Sequence, residues 1–328
     1  MQRIIIAYNP RSSKQAKIEK EVIRPLQKMG GYQVGKFEVA RALVDENAAR
    51  LAAILQDGDL LITAGGDGTS TVGLNAAMIA KKDVTLGVLG YGNFNDFSRT
   101  LGITSLEKLL FAFENGSTMR LFPLDAWLDG KHWRYAACYF TVGMFAESTA
   151  AFEEPEVRTK LKKGIFKGGF SRFIFSIFTL AKWYFRNHIR AFLPKDIQLN
   201  DVPMNRMKMA QSGRVNEVVV PEKKRVSDVM FVNGKTVAKI MRGGEYWMNP
   251  EEYFVSFGRL KGLMRLVGFM MQSIFRHLPG KVVKAETKID FSGPEEFEIQ
   301  AEGEYLRVKA KELIVKKSEH GVKVVCRP

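Results

Sequence analysis

The first 120 residues alternate short apolar runs with segments in which apolar residues recur at helical spacing. The apolar runs predict four strands, and the segments between them predict three helices. The predicted strands cover 3–8, 32–39, 59–64 and 84–90, and the predicted helices cover 15–29, 45–55 and 70–80, with Asp45 as an N-cap. Such alternation is typical of an α/β fold with a doubly wound parallel sheet, whose ligands bind at the carboxyl ends of the strands.

The pattern changes after about residue 121. Short runs rich in Val, Ile and aromatic residues, with a turn at Asp129-Gly130, predict a mostly antiparallel β-sandwich. One further helix is predicted over 263–278. We therefore predict two domains, an α/β domain over 1–120 and a larger β-rich domain over 121–311 with a helical insert over 158–192. In an alternative division, residues 312–328 complete the first domain.

Composition agrees with this division and restricts the partners. The 328 residues are 46% hydrophobic and 26% charged, which favours two folded domains over a disordered chain. The formal net charge of +15 indicates a polyanionic partner, and nucleic acid, anionic lipid and nucleotide phosphates all satisfy it. The two cysteines and four histidines have no metal-ligand spacing, and free thiols are typical of a reducing compartment.

No segment is expected to be a signal peptide or to cross a membrane. The apolar run at the start is too short for a signal peptide. The most apolar stretch, "GGFSRFIFSIFTLAKWYF", is interrupted by Arg172 and Lys182, whereas a membrane span needs about 20 apolar residues. We therefore expect a cytoplasmic protein that contacts membranes only at their surface.

A glycine-rich loop follows the third predicted strand, in the sequence "TAGGDGTST". A strand that changes into a helix at this point leaves main-chain N–H groups without partners, and glycines let a phosphate approach them. Asp67 repels phosphate, so we expect it to hold Mg²⁺ or to orient a nucleotide through hydrogen bonds. The alternative is an ordinary tight turn in which Asp67 caps the helix.

Two more polar loops follow the first and fourth predicted strands. They read "NPRSSK" from Asn9 and "GYGNFNDFSR" from Gly90. Because the carboxyl ends of parallel strands share one edge of a sheet, the three loops are expected to converge on a single crevice. The chain contains neither a Walker loop nor a dinucleotide GxGxxG motif, so the crevice binds its ligand in another way.

The motifs "NPRSSK", "GGDGTST" and "GNFNDFSR", in this order, resemble the diacylglycerol kinase catalytic domain family, which includes bacterial lipid kinases and sphingosine kinases and is related to NAD kinases. Its members carry Asp-Gly-Glu near the C-terminus, where this chain has Glu302-Gly303-Glu304. The resemblance implies a nucleotide-binding domain, a β-rich lipid-substrate domain, and transfer of the γ-phosphoryl group of ATP to a lipid hydroxyl with Mg²⁺.

The resemblance also implies roles for particular residues. Glu304 is expected to be the general base, with Glu302 beside it on the same strand face as a second catalytic residue. Asp67 and Glu302 are the expected metal ligands. The expected nucleotide-binding residues are Asn9, Ser12, Gly65, Gly66, Asp67, Gly68, Thr69, Ser70, Thr71, Gly92, Asn93, Asn95 and Asp96.

Three positions depart from the family pattern: Ala40 and Asn93 stand where threonines are usual, and Glu302 replaces an aspartate. Two alternatives therefore stay open. One is a divergent or inactive nucleotide-binding, membrane-associated relative. The other is a soluble-substrate kinase such as an NAD kinase.

The segment from Arg158 to Arg190 contains nine Lys/Arg and no Asp/Glu, interleaved with aromatic residues such as Phe170, Phe173 and Phe178. This composition is typical of an interfacial helix that binds anionic membrane surfaces transiently. No RNA-recognition module accompanies it, so nucleic acid is not an expected partner. For the helix at 263–278 we favour core packing. A homodimer is left open.

Overall fold

The structure is a computed structural model of the chain. It describes residues 1–40, 43–143, 145–147, 157, 179, 182, 204–211, 214–218, 228–239, 241–258, 263–284, 286–302 and 304–327. The predicted interfacial helix of 158–192 lies outside the described residues, apart from two isolated positions.

Six strands form the first sheet. They are β1 (Gln2–Tyr8), β2 (Tyr32–Glu38), β3 (Leu60–Gly65), β4 (Thr85–Gly90), β5 (Thr118–Leu121) and β18 (Val322–Val325). The strand order is β2-β1-β3-β4-β18-β5. All neighbours are parallel except β18 and β5, which run antiparallel. The predicted parallel sheet is confirmed.

Helices cover both faces of this sheet. A continuous helical segment consists of α1 (Gln15–Ile18), a π-helical turn (Glu19–Ile23) and α2 (Arg24–Lys28), and it is followed by α3 (Val44–Ala52), α4 (Asp67–Ala80), α5 (Asp96–Leu101) and α6 (Leu106–Glu114). Strand alternation explains the two layers: Ile4 and Ile6 pack with Leu26, whereas Ile5 and Ala7 pack with the layer that contains Leu51. The sheet is therefore doubly wound.

The second sheet is antiparallel. Its main path runs in the order β15-β14-β11-β8-β16-β17-β6-β7, and β9 and β10 join it beside β16. The strands are β6 (Leu124–Leu128), β7 (Lys131–Ala136), β8 (Tyr139–Gly143), β9 (Met204–Gln211), β10 (Arg214–Val218), β11 (Asp228–Val232), β14 (Glu252–Gly258), β15 (Gly280–Lys284), β16 (Glu286–Ala301) and β17 (Glu304–Lys317). Phe140, Phe231 and Tyr253 belong to its core.

Two smaller elements complete the described fold. A short hairpin is formed by β12 (Thr236–Val237) and β13 (Met241–Arg242), and the helix predicted near the C-terminus is α7 (Leu263–Phe275). No helix among the described residues is both long and apolar enough to span a bilayer.

Helix α4 connects the two sheets. The Tyr135 N–H of β7 donates to Asn75 Oδ1 of α4 at 2.9 Å, and Asn75 Nδ2 donates back to the Tyr135 main-chain oxygen at 3.0 Å. A buried amide that satisfies both its donor and its acceptor in one partner fixes orientation as well as position. The helix that follows the glycine-rich loop is thus held against the antiparallel sheet.

Two local predictions are corrected here. Asp45 does not cap α3, because the N-cap is Leu43 and the Asp45 side chain bonds to Arg134 instead. Helix α4 begins at Asp67 rather than near Ser70, so half of the predicted loop is the first helical turn. The turn at Asp129-Gly130 is confirmed, with both residues at positive φ. The domain boundaries at 120 and 311 stay a prediction.

Two helix-interior glycines offer a test of the α4 packing. A Cβ at Gly73 would lie 2.1 Å from Thr63 Cγ2 of β3, whereas a Cβ at Gly268 in α7 would meet nothing within 4 Å. We expect Gly73→Ala to lower the free energy of unfolding by about 1–3 kcal/mol through overpacking. Gly268→Ala is the control and should raise it by up to about 1 kcal/mol. Urea unfolding measures both, and equal effects would contradict this packing.

Candidate active site

The glycine-rich loop between β3 and α4 is reduced to a single residue. Strand β3 ends at Gly65, Gly66 is the N-cap of α4, and Asp67 is its first residue. The Thr69 and Ser70 N–H groups both donate to the Gly66 main-chain oxygen. The first turn of α4 therefore lies directly at the carboxyl edge of the parallel sheet, where its positive helix end faces outward.

The loops after β3 and β4 touch each other through their main chains. The Tyr91 N–H donates to the Gly65 main-chain oxygen at 2.6 Å. A Cβ at Gly92 would lie 2.5 Å from the Gly66 Cα, and a Cβ at Gly66 would lie 3.3 Å from the Gly92 Cα. Neither loop can carry a side chain here without moving the other, so the glycines let the two loops lie in contact.

Asp67 links these two loops with its carboxylate. Its Oδ1 accepts from the Asp96 N–H at 2.8 Å and its Oδ2 accepts from the Asn95 N–H at 2.9 Å. Burial raises the pKa of Asp67, and the hydrogen bonds that its carboxylate accepts from main-chain N–H groups partly offset this shift. Asp67 thus caps the neighbouring helix α5 and not its own helix.

Asn95 closes the loop that precedes α5. It has a φ of 55°, its Oδ1 accepts from the Gly92 N–H at 2.7 Å, and its Nδ2 donates to the Gly92 main-chain oxygen at 3.0 Å. Asparagine tolerates this left-handed conformation better than most residues. Its amide is used inside the loop, while Asn93 lies exposed at the loop surface.

Asp96 is buried beneath this loop. Its Oδ1 accepts from Thr236 Oγ1 at 2.5 Å and from the Lys239 N–H at 2.8 Å. Its Oδ2 is buried and has no hydrogen-bond partner among the residues that the structure describes. Burial, and next the charge of Asp67, raise the pKa of Asp96 to about 7. A buried carboxylate oxygen without a donor is suited to a proton or a cation.

Glu302 reaches this site from the antiparallel sheet. It is 2% exposed, and its Oε1 accepts from the Cys138 N–H at 2.5 Å. Burial is the largest cause that raises the pKa of Glu302 to about 7, and the charges of Asp67 and Asp96 add to it. Three carboxylates from three loops therefore act on one another electrostatically.

Thr71 links Glu302 to the first turn of α4. Thr71 Oγ1 lies 2.9 Å from both the Asp67 main-chain oxygen and Glu302 Oε2. The Thr71 hydroxyl and the Cys138 N–H donate to Glu302 and lower the pKa of Glu302, but burial outweighs both hydrogen bonds.

Glu304 has different surroundings from Glu302. Its carboxylate pairs with the guanidinium of Arg134, whose side chain is fully buried and which also pairs with Asp45 of α3 at 3.0 Å. Burial raises the pKa of Glu304, and the Arg134 charge opposes this shift. The Glu304 side chain is 24% exposed, so it remains accessible from the solvent side.

The expectation that Glu302 and Glu304 share one strand face is wrong. Strand β16 ends at Ala301 and β17 begins at Glu304, and these two residues pair in register. Glu302 lies in the turn between them with a φ of 49°. The turn directs the two carboxylates to different partners, Thr71 for one and Arg134 for the other.

The loop after β1 is built by local hydrogen bonds. Asn9 Oδ1 accepts from the Arg11 N–H at 2.9 Å, and Ser12 Oγ accepts from the Lys14 N–H at 3.2 Å. Because β1 neighbours β3, this loop lies at the same sheet edge as Asp67. Its two predicted nucleotide-binding side chains thus stabilise the turn that they occupy.

The structure therefore brings Asp67, Asp96 and Glu302 together, with Glu304 beside them at the Arg134 pair. Sequence reasoning missed the partners that hold these carboxylates, which are Arg134, Cys138, Asp45, Thr236 and Lys239. Arg134, inside the predicted strand "HWRYAA", could have indicated an acidic partner, since a charged side chain that a strand buries needs a charge of opposite sign. Nothing local marks the others.

Comparison with known proteins finds relatives of the first part of the chain. Residues 3–121 match the family model of the diacylglycerol kinase catalytic domain. Over 105 residues the chain is 39% identical to a diacylglycerol kinase of Bacillus subtilis (strain 168). The aligned region covers 31% of this chain and 34% of that protein. Over 122 residues it is 30% identical to a diacylglycerol kinase of Staphylococcus carnosus (strain TM300). This aligned region covers 36% of this chain and 39% of that protein. These matches span about a third of the length of the curated relatives.

Solved structures show the same fold over the full length. A putative diacylglycerol kinase from Bacillus anthracis str. Sterne has a TM-score of 0.63 at 16% identity and covers 100% of this chain and 98% of that chain. A second diacylglycerol kinase structure from that organism has a TM-score of 0.65 at 15% identity, with coverage of 100% and 97%.

The chain thus has the two-sheet fold of these solved structures, with a parallel α/β sheet and an antiparallel second sheet. More particularly, residues 3–121 match the model of the diacylglycerol kinase catalytic domain, the family that the sequence motifs resemble.

The protonation of Glu302 gives a pH-dependent prediction. Its pKa is about 7 in the folded protein and about 4.3 in an unfolded chain, so between these values the folded state binds the extra proton. Its contribution to stability is then present at low pH and is lost as the pH rises through 7. We expect the stability of Glu302→Gln relative to wild type to increase by about 2–3 kcal/mol between pH 5 and pH 8.

Urea unfolding at both pH values measures this difference. Glu319→Gln is the matched control, because the Glu319 side chain is 79% exposed and should show no such change. A Glu302→Gln difference that is the same at both pH values would mean that the carboxylate is already charged at pH 5.

Proposed function

We propose that the protein is an ATP- and Mg²⁺-dependent kinase that phosphorylates the hydroxyl group of diacylglycerol or a similar lipid alcohol. The observation that carries this proposal is the cross-connection of Asp67, Asp96 and Glu302 at the edge of a diacylglycerol kinase catalytic domain. Phosphoryl transfer depends on positioning and on charge neutralisation, and this edge offers fixed main-chain donors beside fixed carboxylates.

The nucleotide phosphates are proposed to lie at the N-terminus of α4. The helix dipole favours anions there, and the glycines allow close approach to the main chain. Gly68 is exposed, and a Cβ placed on it would meet nothing within 4 Å, so the first turn of α4 is open to a ligand. The loops with Ser12 and Asn93 flank this position and are proposed to contact the rest of the nucleotide.

The carboxylates fit a Mg²⁺ ion that is shared with phosphate. Within the described residues no three His, Cys, Asp or Glu side chains form a ready-made metal cage. Mg²⁺ commonly uses only one or two protein carboxylates, with waters and phosphate oxygens as its other ligands. Asp96 offers its unpartnered Oδ2, and Asp67 and Glu302 lie within electrostatic range. When bound, the ion would neutralise charge on the transferred phosphoryl group.

Glu304 is proposed to accept the proton of the lipid hydroxyl. It is the more exposed of the two late glutamates, and the buried Arg134 fixes its orientation. Glu302 is fully enclosed and hydrogen-bonded on both oxygens, so it is suited to hold the first turn of α4 in place. The divergent, inactive alternative predicts nucleotide binding without this proton transfer.

The contact between the two glycine loops should control nucleotide binding. Gly92→Ala places a Cβ 2.5 Å from Gly66 Cα and must separate the loops. We expect its affinity for a non-hydrolysable ATP analogue with Mg²⁺ to fall at least about tenfold, since misplaced phosphate donors lose their geometry. Gly30→Ala is the control, because its Cβ meets no atom within 4 Å. Isothermal titration calorimetry measures these affinities. Equal affinities for Gly92→Ala and wild type would show that nucleotide binding does not depend on the contact between the two loops.

The role of Glu304 is tested by turnover. We expect Glu304→Gln to reduce kcat for phosphorylation of diacylglycerol in mixed micelles by about 10²–10⁴-fold, as loss of a general base does, while nucleotide affinity stays close to that of wild type. Transfer of labelled phosphate from ATP measures kcat, and the exposed Glu319→Gln variant is the control. Unchanged kcat in Glu304→Gln would exclude it as the base. A wild-type protein that binds ATP but labels no lipid would favour the inactive alternative.

A further inference from the structure

Helix α7 presents large apolar side chains to solvent on one face. Met271 is 52% exposed and Phe275 is 66% exposed, and they are one helical turn apart. Val282, in the edge strand β15 that follows the helix, is 37% exposed. A phenylalanine that is two-thirds exposed on a helix gains nothing from the fold, so this face is suited to a partner.

The opposite face of the same helix packs into the protein. Phe269 and Ser273 are buried, and the Phe269 ring lies 5.7 Å from the ring of Phe145. Met271 and Phe275 each follow a buried residue by two positions, which is about 200° around a helix. One face of α7 thus packs into the core, as the sequence predicted, whereas Met271 and Phe275 lie outside it.

The exposed face has a basic residue beside it. Arg276 directly follows Phe275 and is exposed. The sequence from Gly258 to Ala285 contains six Lys/Arg and no Asp/Glu. On β15, Lys281 points to the side of the sheet opposite Val282 and Lys284 pairs with Glu252, so the positive charge at the face itself comes from Arg276. Apolar side chains with basic flanks have the composition of a surface that binds anionic bilayers.

The face is connected to the candidate active site by a short path. The Leu278 N–H, just after α7, donates to the Arg242 main-chain oxygen at 3.1 Å. Arg242 lies in β13 and pairs with Thr236 of β12, whose hydroxyl donates to Asp96. The β12–β13 hairpin thus bonds both to the residue that follows α7 closely, Leu278, and to Asp96 of the candidate site.

We propose that the α7 face, defined by Met271, Phe275, Arg276 and Val282, docks on an anionic lipid bilayer and so brings the site to a membrane-bound substrate. This inference rests on the proposed lipid kinase function but concerns a surface of its own. A second copy of the chain fits less well, because a two-fold contact through the face would bring the Arg276 side chains of both copies together.

Vesicle sedimentation without ATP tests the docking face. The vesicles contain phosphatidylcholine alone or an equal mixture with phosphatidylglycerol. We expect wild type to bind the anionic vesicles, and the double variant Met271→Gln/Phe275→Gln to bind them about tenfold or more weakly. Phe111→Gln is the control, because Phe111 is 63% exposed on α6, on the helical layer of the parallel sheet. It should bind like wild type.

Charge variants test the second half of the proposal. Arg276→Gln should weaken binding to anionic vesicles about fivefold and leave binding to phosphatidylcholine unchanged. The matched control is Lys28→Gln, an exposed lysine at the end of α2. Unfolding midpoints of all variants close to that of wild type are expected, since each substituted side chain is exposed.

Two outcomes would overturn the docking face. One is that the double variant binds anionic vesicles as wild type does. The other is that sedimentation equilibrium shows a wild-type dimer that the double variant converts to monomers, which would make the face a contact between copies. Because binding is measured without turnover, a protein that binds through this face but phosphorylates no lipid would remove the proposed kinase function and leave the docking face standing.

Discussion

The candidate site depends on one interaction, the acceptance of two main-chain N–H groups of α5 by the carboxylate of Asp67. A buried carboxylate is costly unless donors satisfy it, and the start of a helix offers such donors without a side chain. This bond ties the loop after β3 to the loop after β4. The contact between Gly66 and Gly92 is possible only because neither has a side chain.

The fixed negative charge of Asp67 makes it unfavourable for the neighbouring carboxyl groups to ionise. Asp96 and Glu302 are buried near it, and burial together with mutual repulsion raises the pKa of each to about 7. Such a cluster is balanced by protons at low pH or by a cation. Asp96 Oδ2, which is buried and has no hydrogen-bond partner among the described residues, is the oxygen at which such a proton or cation would be held. This oxygen is the structural basis of the proposed Mg²⁺ site.

Most of the first sheet was predictable because its signals are local. Runs such as Leu60–Gly65 are buried on both faces and read as strands without further information, and the glycines after them mark turns. The start of helix α4 was predicted three residues too late, because Asp67 was assigned to the loop. Asp67 accepts hydrogen bonds from the start of α5, and no pattern within α4 reveals this long-range role. Glu302 and Glu304 were assigned to one strand because a hairpin turn with a glutamate at positive φ lacks a strong local signature.

The sequence by itself determined the layered fold class, the likeness of residues 3–121 to the diacylglycerol kinase catalytic domain and the candidate carboxylates, since strand alternation and motif order are properties of neighbouring residues. Tertiary structure alone decided their partners: Arg134 meets Asp45 and Glu304 across elements that are far apart in the chain. It also decided that one apolar face of α7 stays outside the core. Contacts between distant segments depend on how the two sheets pack, and no spacing within either segment encodes that.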